Sequence, residues 1–311
     1  MKGIRGLLAT LAAAWAFAPS TQAATKIVFL YTAVPSYIGT FVAKDEGLFE
    51  KHGLEVELTM AANGSIIPAA MLAGSAQVGT PTPTVLLQAN DGGLDLVYFA
   101  GCDVYPIQSK TGILARAGGN LQGPKDLGGR KIGVPGLNGV VDLLTRKWIQ
   151  ASGGDARRAT YVELQFPAMG DALKGGLVDA IALLDPFYSR IADSKIGYSI
   201  GNYATVVPAG TMPAAYAATR EWVQKNPELV RAYRAALDDA VAFINNPANL
   251  GRVKASMARH TRLPPQVADT LPIPNNLTNR PTAESFRFWV ELMREQGMIR
   301  GNPDPTRLIV Q

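Results

Sequence analysis

Two segments of the chain repeat one local pattern, a helix that ends at a glycine and is followed at once by a short apolar strand. The first copy occupies residues 70–79 (AMLAGSAQVG) and the second occupies residues 172–181 (ALKGGLVDAI). Gly74 and Gly176 stand where a left-handed residue would end each helix. The repeat predicts two similar lobes. A chance match is the alternative, because helix, glycine and strand form an ordinary connection.

The pattern on either side of these copies alternates short apolar strands with helical stretches, which is typical of mainly parallel sheets covered by helices. Strands are predicted over 26–30, 54–60, 77–79 and 94–100, and again over 113–115, 131–134, 160–164 and 178–183. The chain turns helical after Thr219, and we expect these helices to pack on the first lobe. Lobe I is therefore assigned to 24–103 plus 213–311 and lobe II to 104–212, joined by a two-strand hinge.

The first residues have the pattern of a cleavable secretory signal. Lys2 and Arg5 precede an uncharged run over 6–18, and small residues precede Ala24. This predicts a signal peptide over 1–23 and export to the periplasm, with an uncleaved membrane anchor as the alternative. Cys102 is the single cysteine, so no intramolecular disulfide can form. The basic residues are scattered and form no stripe for a phosphate backbone, which argues against a nucleic-acid partner.

Several short motifs then follow one another in a characteristic order. The chain resembles the periplasmic substrate-binding proteins of ABC importers, in the branch associated with nitrate, sulfonates, taurine and the pyrimidine precursor of thiamine. The resemblance implies a type II-like periplasmic-binding-protein fold and a monomeric, non-enzymatic receptor without a cofactor. It also implies that the receptor delivers a small organic molecule to a membrane permease with its ATPase. The motifs are KDEGLF (44–49), LAGSAQVG (72–79), DLGGRKIGV (126–134), LVDA (177–180), DPF (185–187) and NPELV (226–230).

In open α/β sheets, ligands bind beyond the carboxyl ends of the strands, where helix N-termini supply free amide groups. Polar and glycine residues in the predicted turns are therefore candidate ligand contacts, with aromatic residues nearby to supply apolar burial. Ser65, Thr82 and Asn138 could instead only cap their own helices, and Phe166 and Phe187 could pack within lobe II. The candidates are Tyr37, Asn63, Gly64, Ser65, Thr80, Thr82, Tyr105, Asn138, Gly139, Phe166, Phe187 and Tyr216.

Asp185 is the one acidic candidate for the site. A carboxylate facing the ligand would favour an amine, amidine or hydroxyl donor. Alternatively, Asp185 caps the helix that Pro186 begins. No lysine or arginine lies in the predicted cleft turns, which disfavours a simple nitrate or sulfonate ligand.

Two other classes of function stay open. Enzymes of the desulfinase type share this fold and use a cysteine nucleophile, for which Cys102 is the one candidate, although neither His52 nor His260 is an obvious base. A periplasmic sensor module without a transporter is the other alternative. The two histidines and one cysteine show no metal-ligand spacing, so no metal is expected.

Overall fold

The computed structural model describes residues 25–61 and 63–310. The predicted signal peptide lies outside the described residues. Within them, no helix combines the length and hydrophobicity needed to cross a bilayer.

Ten strands of the described residues form two separate five-stranded sheets. The first sheet has the order β2-β1-β3-β10-β4 and the second has the order β7-β6-β8-β5-β9. The strands are β1 (Thr25–Tyr31), β2 (Leu54–Met60), β3 (Val78–Gly79), β4 (Leu96–Gly101), β5 (Thr111–Arg116), β6 (Lys131–Val134), β7 (Thr160–Glu163), β8 (Ala180–Leu184), β9 (Gly197–Gly201) and β10 (Ala215–Thr219).

The helices fill the intervals between strands and most of the chain after β10. They are α1 (Ile38–Asp45), α2 (Leu48–Lys51), α3 (Ile67–Leu72), α4 (Pro83–Asp91), α5 (Val140–Ala151), α6 (Phe166–Lys174), α7 (Phe187–Asp193), α8 (Arg220–Lys225), α9 (Pro227–Ile244), α10 (Leu250–Thr261), α11 (Pro265–Thr270) and α12 (Ala283–Glu295).

The two sheets have the same topology. In the first, β1 pairs in parallel with β2 and β3, and β10 runs antiparallel between β3 and β4. In the second, β6 pairs in parallel with β7 and β8, and β5 runs antiparallel between β8 and β9. Each antiparallel strand is the one that the chain enters after it leaves the other sheet. The predicted α/β fold with two mainly parallel sheets flanked by helices is confirmed.

The repeated segments lead into β3 and β8, which occupy the same position in their sheets. Gly74 and Gly176 are both left-handed, with φ of 73° and 75°. In each copy, the amide after the glycine donates to the carbonyl oxygen five positions earlier, at 3.0 Å. This is the hydrogen bond that typically closes a helix at a left-handed glycine. The repeat is therefore a structural one.

The helices after β10 pack mainly on the first sheet's side of the molecule. Helix α9 contacts α1 and α2, α10 contacts α1, and α12 contacts α4. Trp289 of α12 is completely buried, and its indole N–H donates to the carbonyl oxygen of Met212 at 2.8 Å. Helix α12 also reaches the second lobe, where Lys147 of α5 forms an ion pair with Glu295 at 2.6 Å.

The structure differs from the sequence-based elements in two places. The helix predicted over 38–49 is two helices, because Gly47 between them is left-handed with φ of 67°. Strands β9 and β10 are additional to the predicted ones. Strand β10 has the sequence AYAAT, which lacks the β-branched alternation that marks a strand.

Candidate functional site

Both connections between the two sheets lie at the sheets' carboxyl edges. The chain leaves the first sheet at Gly101 and enters β5 at Thr111, which pairs with Leu184 at the end of β8. It leaves the second sheet at Gly201 and re-enters the first at Ala215, which pairs with Gly101. Both crossings therefore join the edges where β1, β3, β6 and β8 end. Ligands of open α/β sheets bind at such edges.

All of the residues predicted for the site lie at these two edges or in the adjoining crossing. The first edge holds Tyr37, Asn63, Gly64, Ser65, Thr80, Thr82 and Tyr216, with Tyr105 in the crossing that follows β4, and the second holds Asn138, Gly139, Phe166, Asp185 and Phe187. Their contact with a ligand stays a prediction.

Several of the aromatic candidates are covered by the protein itself. Tyr37 and Tyr216 are each 1 % exposed, and their ring centroids are 6.3 Å apart. The Tyr37 hydroxyl donates to the carbonyl oxygen of Thr80 at 3.4 Å. Tyr105 is also buried. These rings are covered by neighbouring residues of the protein, so Tyr37 or Tyr216 could contact a solute only if the covering residues moved.

Phe166 and Phe187 form the aromatic surface of the second edge. Their rings stack with centroids 5.0 Å apart, at the first residues of α6 and α7. Both side chains are half-buried. The pair therefore packs within lobe II and also keeps part of its surface available at the edge.

The hydroxyls of the first edge do not cap their own helices. Thr82 precedes α4, but its side chain makes no capping bond and lies 3.2 Å from Thr84 Oγ1. Ser65 donates to Asn63 Oδ1 at 2.7 Å within the turn between β2 and α3. These polar groups are held by one another at the ends of β2 and β3.

On the second edge, the backbone is shaped by Asn138 and Gly139. Gly139 precedes the first residue of α5, and Asn138 is left-handed with φ of 61°. The Asn138 amide donates to Asp142 Oδ2 at 2.8 Å, and Arg146 also bonds to the Asp142 carboxylate. The charge of Asp142 is thus neutralised inside the lobe.

The carboxylate of Asp185 is occupied by backbone amides. Its Oδ1 accepts from the Ser189 amide at 3.1 Å, and its Oδ2 accepts from the Lys110 amide at 3.2 Å. The residue is 3 % exposed. Asp185 therefore links the first turn of α7 to the first crossing, which agrees with the alternative that it caps this helix.

Asp103, which is not among the residues predicted from the sequence, is the more unusual carboxylate. It is 4 % exposed and follows β4 in the first crossing. Its Oδ2 accepts from the Ser36 hydroxyl at 3.0 Å, whereas its Oδ1 is buried without a partner among the described residues. Burial raises the pKa of Asp103 to about 6. Its place two positions after the wholly uncharged, apolar sequence LVYFAG of β4 is the sequence signal that could have identified it.

Thr80 is a second buried residue at this edge with an unsatisfied polar atom. It follows β3, is 1 % exposed, and has no described partner for Oγ1. Tyr37 connects the two positions, because it bonds to Thr80 and the charge of Asp103 contributes to raising its pKa. The first edge thus contains a carboxylate oxygen, Asp103 Oδ1, and a hydroxyl, Thr80 Oγ1, that have no hydrogen-bond partner among the described residues.

Cys102 is unsuited to nucleophilic chemistry in this state. The thiol is 3 % exposed, and its pKa is raised mainly by burial and further by the neighbouring Asp103. A cysteine nucleophile needs a lowered pKa or an adjacent base. Both histidines bond elsewhere, His52 to Asp239 at 2.8 Å and His260 to Asp45 at 2.9 Å.

A cavity of about 580 Å³ opens beside the hinge. It is lined by both crossings and by the second lobe, and Tyr105 is the one predicted site residue among its lining. The exposed Lys110 and the polar Asn202 and Thr205 also line it. This volume is in the range of small-molecule sites. The described residues contain no cluster of side chains that could hold a metal ion.

Two sheets of identical topology, joined by two crossings at their carboxyl edges, define a two-lobed binding-protein fold. The chain belongs to the NMT1/THI5-like family, whose pattern matches residues 34–249. The predicted resemblance is confirmed.

The chain is similar to binding proteins and to a biosynthetic protein. A putative binding protein of Brucella abortus is 28% identical over 232 residues, which cover 73% of this chain and 70% of that protein. A putative thiamine biosynthesis protein of Haemophilus influenzae is 25% identical, over 85% of this chain and 84% of that protein. The periplasmic aliphatic sulphonate binding protein SsuA of Escherichia coli shares the fold with a TM-score of 0.73 and 21% identity, covering 90% of this chain and 95% of that one.

Proposed function

We propose that this chain is an extracytoplasmic solute-binding receptor that delivers a small organic molecule to an ABC-type permease with its ATPase. The observation that carries the proposal is that both crossings join the carboxyl edges of two sheets of the same topology, in a member of the NMT1/THI5-like family. Binding proteins among the relatives support the same function. The fold shared with a periplasmic binding protein of Escherichia coli supports a periplasmic location.

The mechanism follows from the two-lobed architecture. A solute that contacts both edges stabilises the closed arrangement by the contacts that only this arrangement provides. A solute that binds one lobe equally well in both arrangements does not shift the equilibrium. The closed form, with its solute enclosed, would then be the form that the permease recognises.

Aromatic and apolar burial would supply much of the affinity. Helix N-termini contribute roughly 0.3 to 1 kcal/mol each at exposed sites, whereas micromolar binding requires about 8 kcal/mol. The half-buried stack of Phe166 and Phe187 is the aromatic surface available for this role at the second edge.

An enzymatic function of the desulfinase type is not favoured, because Cys102 is buried, carries a raised pKa and has no histidine bonded to it. The thiamine biosynthesis relative keeps a biosynthetic activity as an alternative to be tested. Incubation of the protein with candidate substrates and analysis of the products would distinguish turnover from reversible binding.

Native mass spectrometry of the protein purified from its own cells tests the receptor proposal. We expect a monomer that carries one small molecule, which is lost on dialysis after partial denaturation. Small-angle scattering of the stripped and reloaded protein should show a smaller radius of gyration in the loaded form. A stripped protein that neither recovers a ligand from a defined solute panel nor contracts would contradict the proposal.

A further inference from the structure

Two buried polar atoms at the ends of strands are left without a described partner, Asp103 Oδ1 and Thr80 Oγ1. Both residues are more than nine-tenths buried, and both lie at or next to the carboxyl edge of the first sheet. Buried polar groups in native proteins nearly always have a hydrogen-bond partner, since an unsatisfied one costs free energy. A bound solute at this edge would satisfy them.

The chemistry of Asp103 selects the kind of partner. Oδ2 already accepts from the Ser36 hydroxyl, so Oδ1 is the oxygen that can accept from a solute. Ser36 is itself only half-buried and lies on the turn that follows β1. The carboxylate is thereby fixed at the edge by one hydrogen bond while its second oxygen stays free.

The surroundings of Asp103 provide no positive charge to balance it. Positions 32–37, 80–83 and 102–105, which follow β1, β3 and β4, contain no lysine or arginine, and neither do positions 276–279, where Leu277 pairs with Asp103. Arg280 beyond them forms an ion pair with Asp238. The neighbouring Tyr37, Cys102 and Tyr105 have pKa values raised mainly by burial, so these groups stay neutral. Lys110 is exposed and lines the hinge cavity. An anionic solute at this edge would meet an unbalanced carboxylate and would be repelled.

We propose that Asp103 Oδ1 accepts a hydrogen bond from an N–H group of the solute, so that this receptor takes neutral or cationic nitrogen-bearing organic molecules and discriminates against simple anions. The inference rests on the proposed receptor function and narrows its substrate class. Thr80 Oγ1 provides a second contact, which can donate or accept. Hydrogen bonds to a charged group are the stronger ones, and a site that leaves such a group unpaired rejects a solute lacking the donor.

Calorimetry and thermal shift with two sets of probes test this inference. The nitrogen-donor set is 4-aminopyrimidine, cytosine, benzamidine and spermidine, and the anion set is nitrate, ethanesulfonate, benzenesulfonate and benzoate. We expect stabilisation by members of the first set and by none of the second. Binding of anions alone would overturn the inference and leave the receptor function standing. Stabilisation by neither set, with no co-purified molecule in native mass spectrometry, would count against both.

Variants then assign the effect to Asp103. D103N keeps the size of the side chain and removes its charge, and we expect it to lower affinity for the stabilising donor probe by at least about tenfold. D171N makes the same change on an exposed face of α6 and should leave affinity unchanged. T80V, which is nearly isosteric, should weaken the same probe by a smaller factor.

A folding defect cannot imitate the second readout. Removing the carboxylate should reduce the discrimination against the matched anion, so the ratio of benzamidine to benzoate affinity, for which the wild-type titrations set a lower bound, should fall below that bound in D103N and stay above it in D171N. An unchanged ratio in a D103N protein with a native circular dichroism spectrum would refute the role of Asp103.

Discussion

Replacing Asp103 with asparagine should remove a pH dependence of stability that this one carboxyl group creates. Burial raises the pKa of Asp103 from 3.8 to about 6 in the folded protein. The folded state therefore holds the proton more tightly than the unfolded state does. Between these two pKa values the folded state binds more protons, so the contribution of Asp103 lowers stability as pH rises from about 4 through about 6.

The magnitude follows from the two pKa values. One pKa unit corresponds to about 1.4 kcal/mol, so the raised pKa of Asp103 lowers the free energy of unfolding by about 3 kcal/mol at pH 8 and by about 1 kcal/mol at pH 4.5, relative to a protonated group. The difference between D103N and the wild-type protein should therefore change by about 2 kcal/mol between these two pH values, in favour of D103N at the higher pH. The asparagine amide itself costs a further amount, about 1 to 3 kcal/mol if its N–H group stays unpaired, which is the same at both pH values.

The assay is urea unfolding of ligand-free wild-type protein, D103N and D171N at both pH values. All other titrating groups are shared, so their contributions cancel in the comparison of variants. D171N changes an exposed carboxyl of α6 and should track the wild-type protein within about 0.5 kcal/mol. A difference between D103N and wild type that is equal at pH 4.5 and pH 8 would refute the reasoning that burial holds this carboxyl in an unfavourable state.

Two sets of substitutions and one labelling experiment give further tests. Replacing Gly74 or Gly176 with alanine should lower the free energy of unfolding by a similar amount, about 1 to 2 kcal/mol, because both residues are left-handed. A Cβ at Gly74 meets nothing within 4 Å, so the loss there comes from the backbone conformation. Urea unfolding that gave clearly unequal losses would contradict the equivalence of the two sites. Replacing Gly201, whose φ is 148°, with alanine should destabilise by more than either, because a Cβ there collides with the Trp148 ring; a melting temperature like that of the wild type would show the backbone to be free to move. Cys102 should resist iodoacetamide in the native protein and react fully in urea, since the thiol is 3 % exposed and its pKa is raised. Rapid labelling of the native protein would contradict this and would favour a cysteine-dependent enzymatic function.

The alternation of strands and helices and the two glycine-terminated helices were predictable from the sequence. These features depend on residues within one or two turns of each other, such as the hydrogen bond that closes each helix five positions back. The order of motifs likewise predicted the class of protein. Hydrophobic periodicity and turn residues depend on short stretches of sequence, so they can be recognised in one sequence without the structure.

The polar chemistry of the site was not predictable in the same way. Asp185 is the acidic candidate from the sequence, and the structure gives both of its oxygens to backbone amides. Tyr37 and Tyr216 are candidate ligand aromatics, and both rings are almost fully covered. The bond from Ser189 to Asp185 is local and fits the capping alternative, whereas the Lys110 amide is 75 positions from Asp185 and Thr80 is 43 positions from Tyr37, so those contacts are not visible in short windows of sequence.

Short-range patterns in the chain were sufficient to establish two α/β lobes and the positions where most of their strands end. Folding was needed to show that β5 and β10 each run antiparallel between two strands of the sheet that they enter. It was also needed to show that Asp103 bonds to Ser36, 67 positions away, with its other oxygen unsatisfied. The difference arises because burial and hydrogen-bond satisfaction are properties of the packed assembly. A residue's own neighbours in sequence fix its backbone, whereas the desolvation of its charge depends on segments that meet it only after folding.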